Sequence, residues 1–186
     1  MRISDDRYSR DRFRLDLALR FMRHEARTHT IRKWTGLTDD RIRKLYKAYL
    51  ELSPGQRPIS RHRGKSPAQA CYFIRTPRVQ QESAVLASLY CMLGALPAPL
   101  ASETDPPAPG VARGERLCQA FEAYLTFVQG AQISFEHAVL LINELARGVE
   151  IKLSDCTICG GLLVVDGLTV QDVRCSRCSE QSHVGC

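Results

Sequence analysis

Four cysteines near the C-terminal end have the residue type and spacing of a metal site. Cys156 and Cys159 form one CxxC pair, Cys175 and Cys178 form a second, and fifteen residues separate the two pairs. This spacing is typical of tetrathiolate zinc sites, in which each sulfur binds the ion at about 2.3 Å. Four protein ligands leave no position open for water. The sequence therefore predicts one structural Zn²⁺ per chain, which stabilises the fold and does not catalyse a reaction.

Three other interpretations of these cysteines stay open. A thioredoxin-like redox motif would place one CxxC beside a βαβ pattern, and an iron–sulfur cluster also uses four thiolates. His183 or Cys186, which follow closely, could replace one ligand. The symmetrical spacing favours a zinc ion held by the two CxxC pairs. The scattered Cys71, Cys91 and Cys118 lie in predicted helical segments and are interpreted as small buried apolar residues.

The composition is that of a globular protein without membrane-spanning segments. The 186 residues are 44% hydrophobic and 25% charged, and no apolar run approaches the ~20 residues that cross a bilayer. The N-terminus has no apolar stretch after its charges, so we expect no secretory signal, no membrane association and a cytoplasmic location. In that reducing compartment, paired CxxC sequences indicate metal binding. We find no nucleophile–base arrangement, phosphate-binding glycine loop or carboxylate pair at recognisable spacing, and we therefore expect no enzymatic activity.

The charge of the chain is distributed unevenly. Residues 1–65 contain 18 Lys/Arg and 8 Asp/Glu, a balance of +10, whereas residues 66–186 contain 8 and 12, a balance of −4. A polyanion would be attracted to the first third only. The alternative interpretation is an ordinary solvated basic surface.

The N-terminal third contains a helix-turn-helix-like pattern. An amphipathic helix over 9–25 has Phe13, Leu17 and Phe21 on one stripe. A short helix capped by Thr30 would follow, then a turn at Gly36, then a longer helix capped by a threonine. The buried face of that longer helix is predicted to carry Ile42, Leu45, Tyr46, Tyr49 and Leu50. An αα-hairpin with a charged face is the alternative to a DNA-binding unit.

The candidate DNA contacts are the basic residues of this pattern and of the Pro/Gly/basic arm at 53–67. They are Arg32, Lys33, Arg41, Arg43, Lys44, Lys47, Arg57, Arg61, Arg63 and Lys65. Such residues would contact mainly phosphates, which makes binding dependent on salt. Asp39 and Asp40 lie where a recognition helix usually approaches bases, which argues against base readout by that helix end.

The remaining chain is predicted to be mostly helical. A helix follows Thr76-Pro77, a proline-rich flexible linker covers 98–110, and helices occupy 113–129 and 135–147. In the cysteine segment, Leu162–Val165 should form a strand that leads away from the metal, and Val173 one that returns. The fold class is therefore mainly α with a C-terminal zinc ribbon-like module. The predicted domains are 1–148, for DNA binding and oligomerisation, and 149–186, for the metal.

Two stretches resemble a known family. The cysteine segment LSDCTICGGLLVV…VRCSRC and the segment DDRIRKLYKAYLELSP are similar to the FlhC subunit family of the bacterial flagellar transcriptional activator. The cysteine cluster with its preceding Leu-Ser is fairly specific, the IRKLYK segment moderately so, and the region 55–150 only loosely similar. The chain ends eight residues after Cys178, whereas typical members continue with a longer basic tail.

The resemblance implies a function that spacing alone does not give. FlhC-like subunits bind promoter DNA as hetero-oligomers with FlhD, a helical dimer, and activate flagellar genes together with RNA polymerase. Their four cysteines bind zinc structurally, which carries over to the two CxxC pairs here. The leading hypothesis is thus a DNA-binding transcriptional regulator, with a diverged, non-flagellar role as a variant of it. A zinc-stabilised protein–protein adaptor that does not bind DNA is the alternative. RNA binding is a weaker one, because the sequence shows no aromatic stacking module.

Overall fold

The structure, a computed structural model, describes residues 2–52, 59, 62, 64–96 and 108–181. Within these ranges the chain is mainly α-helical with one short β-hairpin, so the prediction of a mainly α protein is confirmed. Backbone proximity groups the chain into two compact units. Unit 1 comprises Met1–Ser66 and Ala108–Cys118, and unit 2 comprises Pro67–Pro107 and Gln119–Cys186. The predicted domain boundary at residue 148 stays a prediction.

Unit 1 is built on three consecutive helices: α1 (Arg2–Arg23), α2 (Thr28–Thr35) and α3 (Asp39–Leu52). The apolar stripe of α1 is buried at Leu17 and Phe21, but Phe13 is 60% exposed, so that part of the stripe was predicted wrongly. Phe21, two turns further along the same stripe, packs against Trp34 of α2, with ring centroids 6.1 Å apart.

The connection between α2 and α3 follows the predicted turn chemistry. Gly36 ends α2 in the left-handed region at φ 69°, and its N–H donates to the Arg32 carbonyl, a conformation that glycine adopts without a Cβ penalty. The Thr38 hydroxyl accepts from the Arg41 N–H at 3.4 Å, as expected for an N-cap. Thr30 does not cap α2, because the helix already begins at Thr28 and Thr30 is buried inside it.

The buried face of α3 agrees with the sequence pattern where the side chains are described. Ile42 and Tyr46 are buried, and Leu45 and Tyr49 are half-buried. The Tyr46 hydroxyl donates to the Ala26 carbonyl at 3.3 Å, which ties α3 to the segment before α2. The side chain of Leu50 lies outside the described residues.

Helix α4 (Pro77–Met92) follows a 3₁₀ turn at Ala70–Ile74, and α5 (Val111–Phe127) and α6 (Phe135–Arg147) follow in order. Thr76 caps α4 by accepting from the Val79 N–H at 3.3 Å, and Ser134 caps α6. The helix predicted over 113–129 ends two residues earlier than expected. Residues 98–107 of the predicted linker lie outside the described residues. Helix α5 begins at Val111, directly after Gly110, the last residue of the predicted linker.

Strands β1 (Ile151–Asp155) and β2 (Leu162–Asp166) form an antiparallel hairpin, and α7 (Ser176–Gln181) follows. The pairing runs from Ile151 opposite Asp166 to Asp155 opposite Leu162. No helix among the described residues is both long and apolar enough to cross a membrane.

Candidate metal centre

The loop of the β1–β2 hairpin forms the first of two turns that carry the four cysteines. Cys156 follows β1 directly, and its N–H donates to the Gly161 carbonyl at 2.9 Å. The Gly160 N–H donates to the Cys156 carbonyl at 2.8 Å, with Gly160 in the left-handed region at φ 68°. These two hydrogen bonds close a tight turn between the strands, which holds Cys156 and Cys159 on one loop.

The second pair lies at the start of α7. The Cys178 N–H donates to the Cys175 sulfur at 3.4 Å, within the first turn of the helix. The Cys175 N–H donates to the Cys156 sulfur at 3.3 Å, which joins the second turn to the first. Backbone N–H donors directed at sulfur stabilise thiolates, the form that binds metals.

The strand predicted at Val173 is wrong. The partner of β2 is β1, and residues 172–175 are not in a strand. The Val173 carbonyl instead accepts from the Thr157 N–H at 3.0 Å. The chain therefore returns along the first cysteine turn, which brings Cys175 close to the first pair without adding to the sheet.

The four sulfurs converge on one point. The Sγ atoms of Cys156, Cys159, Cys175 and Cys178 all lie within 4.8 Å of one another, and those of Cys159 and Cys175 are 3.8 Å apart. A regular tetrahedron with metal–sulfur bonds of about 2.3 Å has sulfur–sulfur edges of about 3.8 Å. The arrangement thus fits a single tetrahedrally coordinated metal ion such as zinc.

The two pairs contribute one buried and one accessible sulfur each. Cys156 and Cys178 are buried together with Leu163 and Val165 of β2 in a small apolar cluster. Cys159 is exposed and Cys175 is half-buried. One side of the sulfur cluster is therefore part of the core of the hairpin, and the opposite side faces solvent.

The four thiols differ in acidity. Backbone hydrogen bonds, first of all that from Cys159, lower the pKa of Cys156 to about 6. The side-chain hydrogen bond with Cys175, together with burial, raises the pKa of Cys178 to about 12. A metal ion must then displace a proton from Cys178 at neutral pH. Metal binding therefore releases protons, and the affinity rises with pH.

Helix α4 positions the metal module through two glutamine side chains. The Gln80 amide donates to the Val164 carbonyl of β2 at 3.0 Å, and the Gln81 amide donates to the Ser176 hydroxyl at the start of α7 at 2.6 Å. The same helix thus contacts both the second strand of the hairpin and the start of α7. These two residues could not be predicted from the sequence, because no local pattern links a polar pair on one helix to a hairpin about 85 residues away.

A buried carboxylate fixes α4 to its neighbours in unit 2. Glu82 is 4% exposed and accepts hydrogen bonds from the Tyr124 hydroxyl at 2.5 Å, the Gln132 N–H at 2.8 Å and Arg78 Nε at 3.1 Å. Burial acts to raise the pKa of Glu82, but these hydrogen bonds outweigh it and lower the pKa below its ordinary value of 4.5. The ionised carboxylate therefore joins α4, α5 and the turn before α6.

The basic residues proposed for DNA contact are exposed on α2 and α3 wherever the structure describes them. Those with exposed side chains are Arg32, Lys33, Arg41, Arg43, Lys44 and Lys47, and also Lys65 in the following segment. Three of them pair with carboxylates: Arg32 with Asp39 at 3.7 Å, Arg41 with Asp11 at 3.4 Å and Arg43 with Asp40 at 3.2 Å. Arg57, Arg61 and Arg63 lie outside the described residues, as do His183 and Cys186.

The remaining described cysteines are not a uniform group. Cys118 is buried and Cys91 is half-buried, and burial raises the pKa of the Cys91 thiol. Cys71 is exposed, so its assignment as a buried apolar residue was wrong. It is the first residue after the start of the 3₁₀ turn, where the neighbouring Ala70 and Phe73 occupy the buried positions.

Comparison of the chain with models of known protein families and with curated proteins finds no match. The likeness to FlhC-type subunits therefore stays a hypothesis drawn from the two quoted stretches.

Proposed function

We propose that this protein is a DNA-binding transcriptional regulator of the FlhC type, stabilised by one structural Zn²⁺. The observation that carries the metal part is the convergence of four thiols from two turns at tetrahedral spacing. All four donor atoms are sulfur, which suits zinc. They would fill the four tetrahedral positions around the ion, so no position would remain for water or substrate. Zinc would close the loop between the hairpin and α7, and its binding free energy would add directly to folding.

The DNA part of the proposal is supported by the surface of α2 and α3. Their basic side chains are exposed, whereas the apolar residues Ile31, Trp34 and Ile42 are buried between the helices of unit 1. The described carboxylate partners of these arginines are solvent-exposed, at 46% for Asp39 and 79% for Asp40. Exposed ion pairs contribute only about 0–1 kcal/mol, so phosphates can replace these carboxylates at small cost.

The experiment that tests DNA binding reverses charge on α3. The Arg43→Glu/Lys44→Glu/Lys47→Glu variant should bind promoter DNA much more weakly than the unchanged protein. Loss of three phosphate contacts should also reduce the slope of log K against log salt by about 2.7. Both quantities can be measured by fluorescence anisotropy over a range of salt concentrations.

A matched control distinguishes a DNA-binding face on α3 from general electrostatic attraction between DNA and the basic N-terminal third of the chain. Arg10, Arg12 and Arg14 are exposed on α1, in the same basic third of the chain. Changing these three to Glu gives the same change in net charge, and we expect a clearly smaller loss of affinity. Equal losses in the two variants, or no loss in the α3 variant, would contradict the assignment.

The proposed assembly follows from the resemblance. An FlhD-like helical dimer is the proposed partner, promoter double-stranded DNA the ligand, and RNA polymerase the downstream target, with no membrane role and no enzymatic activity. Co-expression with an FlhD-like protein followed by native mass measurement tests the assembly. A chain that remains alone at micromolar concentration would contradict it.

A zinc-stabilised adaptor is the second candidate. It is favoured by the acidic balance of the metal module, since residues 150–186 contain three Lys/Arg and five Asp/Glu. An acidic module repels DNA and suits a protein partner. Failure to shift DNA at low salt, both alone and with the partner, would favour the adaptor.

A further inference from the structure

We propose that Cys159 and Cys175 form an oxidant-reactive pair, and that their conversion to a disulfide by a hydroperoxide expels the metal ion. This inference rests on the proposed zinc site and assigns a modification to two of its four ligands. It depends on a difference between the four sulfurs that their spacing in the sequence does not show.

The first observation is the unequal access to the sulfurs. Cys156 is 2% exposed and Cys178 is 7% exposed, and both pack in the apolar cluster with Leu163 and Val165. Cys159 is exposed, and Cys175 is half-buried at the edge of that cluster. A small polar oxidant in solution reaches Cys159 first, because thiolate oxidation depends on exposure as well as on charge.

The second observation is the position of the partner sulfur. The Sγ atoms of Cys159 and Cys175 are 3.8 Å apart, on different turns of the module. A disulfide requires about 2.05 Å, so the two atoms must approach by roughly 1.7 Å. Cys159 is exposed, as are its neighbours from Thr157 to Gly161, so its side chain can turn toward Cys175 without displacing a residue of the buried cluster.

Cys156 is the nearest rival partner in sequence, and it is less suitable. Its sulfur is buried and accepts the Cys175 N–H at 3.3 Å, which ties it to the core side of the site. Pairing Cys159 with Cys156 would displace a member of the buried cluster, whereas Cys175 is only partly buried and packs against that cluster from its edge.

The chemistry balances with the oxidant alone. The Cys159 thiolate attacks one oxygen of hydrogen peroxide, the O–O bond breaks, and with one proton the products are a sulfenic acid and water. The Cys175 thiolate then attacks the sulfenic sulfur, the S–O bond breaks, and a second proton gives the disulfide and a second water. The sulfurs together lose two electrons, which the peroxide gains. With two of four thiolates consumed, the remaining pair cannot hold the ion tetrahedrally, and it dissociates.

The test uses the full chain and begins with its zinc content. Zinc in the purified protein is measured first, hydrogen peroxide is added, and released Zn²⁺ is followed with a metallochromic dye. Trypsin cleaves after Lys152, Arg174 and Arg177, so Cys175 is released on its own peptide, 175–177, apart from the peptides of the other ligands. Tandem mass spectrometry of the peptide linked to 175–177 then distinguishes Cys156 from Cys159.

We expect one Zn²⁺ released per disulfide formed, with Cys159–Cys175 the most abundant linkage among the four cysteines, because Cys159 is the exposed member of the group. Dithiothreitol with added zinc should restore the metal content. Cys71→Ser and Cys186→Ser leave all four ligands in place and should not change the yield of the disulfide.

A protein that contains no zinc when purified would overturn the metal proposal and this inference with it. Full zinc content followed by a Cys156–Cys159 or Cys175–Cys178 linkage, or by no release at all, would overturn the inference alone.

Discussion

The hydroxyl of Tyr124 provides a test of the buried hydrogen-bond network that joins the helices of unit 2. Tyr124 is fully buried. Its hydroxyl donates to the Glu82 carboxylate at 2.5 Å and accepts from the Ile133 N–H at 3.2 Å. Burial and the neighbouring carboxylate raise its pKa above the ordinary value of 10, so Tyr124 remains a donor at neutral pH. The Tyr124→Phe change removes both hydrogen bonds and keeps the ring.

The expected cost follows from these two contacts. A hydrogen bond to a charged group contributes about 1.5–3 kcal/mol, and leaving a buried N–H without a partner costs about 1–3 kcal/mol. Some relaxation around the missing oxygen should reduce the sum, so we expect a loss of about 3 kcal/mol in the free energy of unfolding. For a chain of this length, that corresponds to a fall in melting temperature of about 6–12 °C.

The assay is urea and thermal denaturation at pH 7 of the zinc-loaded protein, followed by circular dichroism. Tyr8→Phe is the matched control, because that tyrosine is 73% exposed and loses the same atom from a solvated position. A double-mutant cycle with Glu82→Gln should show a coupling of at least about 1 kcal/mol, since the two side chains share one network. A loss below about 0.5 kcal/mol for Tyr124→Phe, or additive effects in the cycle, would refute this account of the network.

Two further predictions concern the same unit. Because folding lowers the pKa of Glu82, its carboxylate stabilises the protein above pH 4.5, the ordinary pKa value, and this contribution is lost as the pH falls through and below that value. The difference in unfolding free energy between the unchanged protein and Glu82→Gln, measured by urea denaturation at each pH, should therefore decrease on acidification. A difference that stays constant with pH would contradict the assignment. A Cβ at Gly167 would clash with the Val149 carbonyl oxygen, so Gly167→Ala should lower the urea midpoint, with a loss of about 1–3 kcal/mol in the free energy of unfolding. Gly110→Ala, where a Cβ meets nothing within 4 Å, should change the midpoint little, and equal effects of the two alanines would argue against the clash.

The helices could be predicted from the sequence where local chemistry decides their ends. Helix α6 begins after Ser134 and ends before Gly148, as predicted. Its two ends depend only on local chemistry, a side-chain N-cap and a left-handed glycine C-cap. Phe13 was assigned wrongly to the core, because periodicity gives the direction of a helix face and does not say how far along it another helix packs.

The sequence predicted which four cysteines come together, but only part of the backbone structure that positions them. The CxxC spacing identified the four residues that the structure brings together. The strand partner of β2 was missed, because Ile151 and Leu153 alternate with polar residues over only a few positions, whereas Val173 is an isolated apolar residue whose role is a backbone contact to Thr157. The unequal burial of the sulfurs depends on long-range packing against β2, which no local pattern reports.

The most direct test of the metal centre is the zinc content of the purified, folded chain. Elemental analysis and native mass spectrometry should find one Zn²⁺ per chain, lost together with the folded structure when Cys156 or Cys178 is changed to Ser and retained in Cys71→Ser. A chain that folds with unchanged stability and contains no metal, or one that keeps its zinc without these cysteines, would contradict the account.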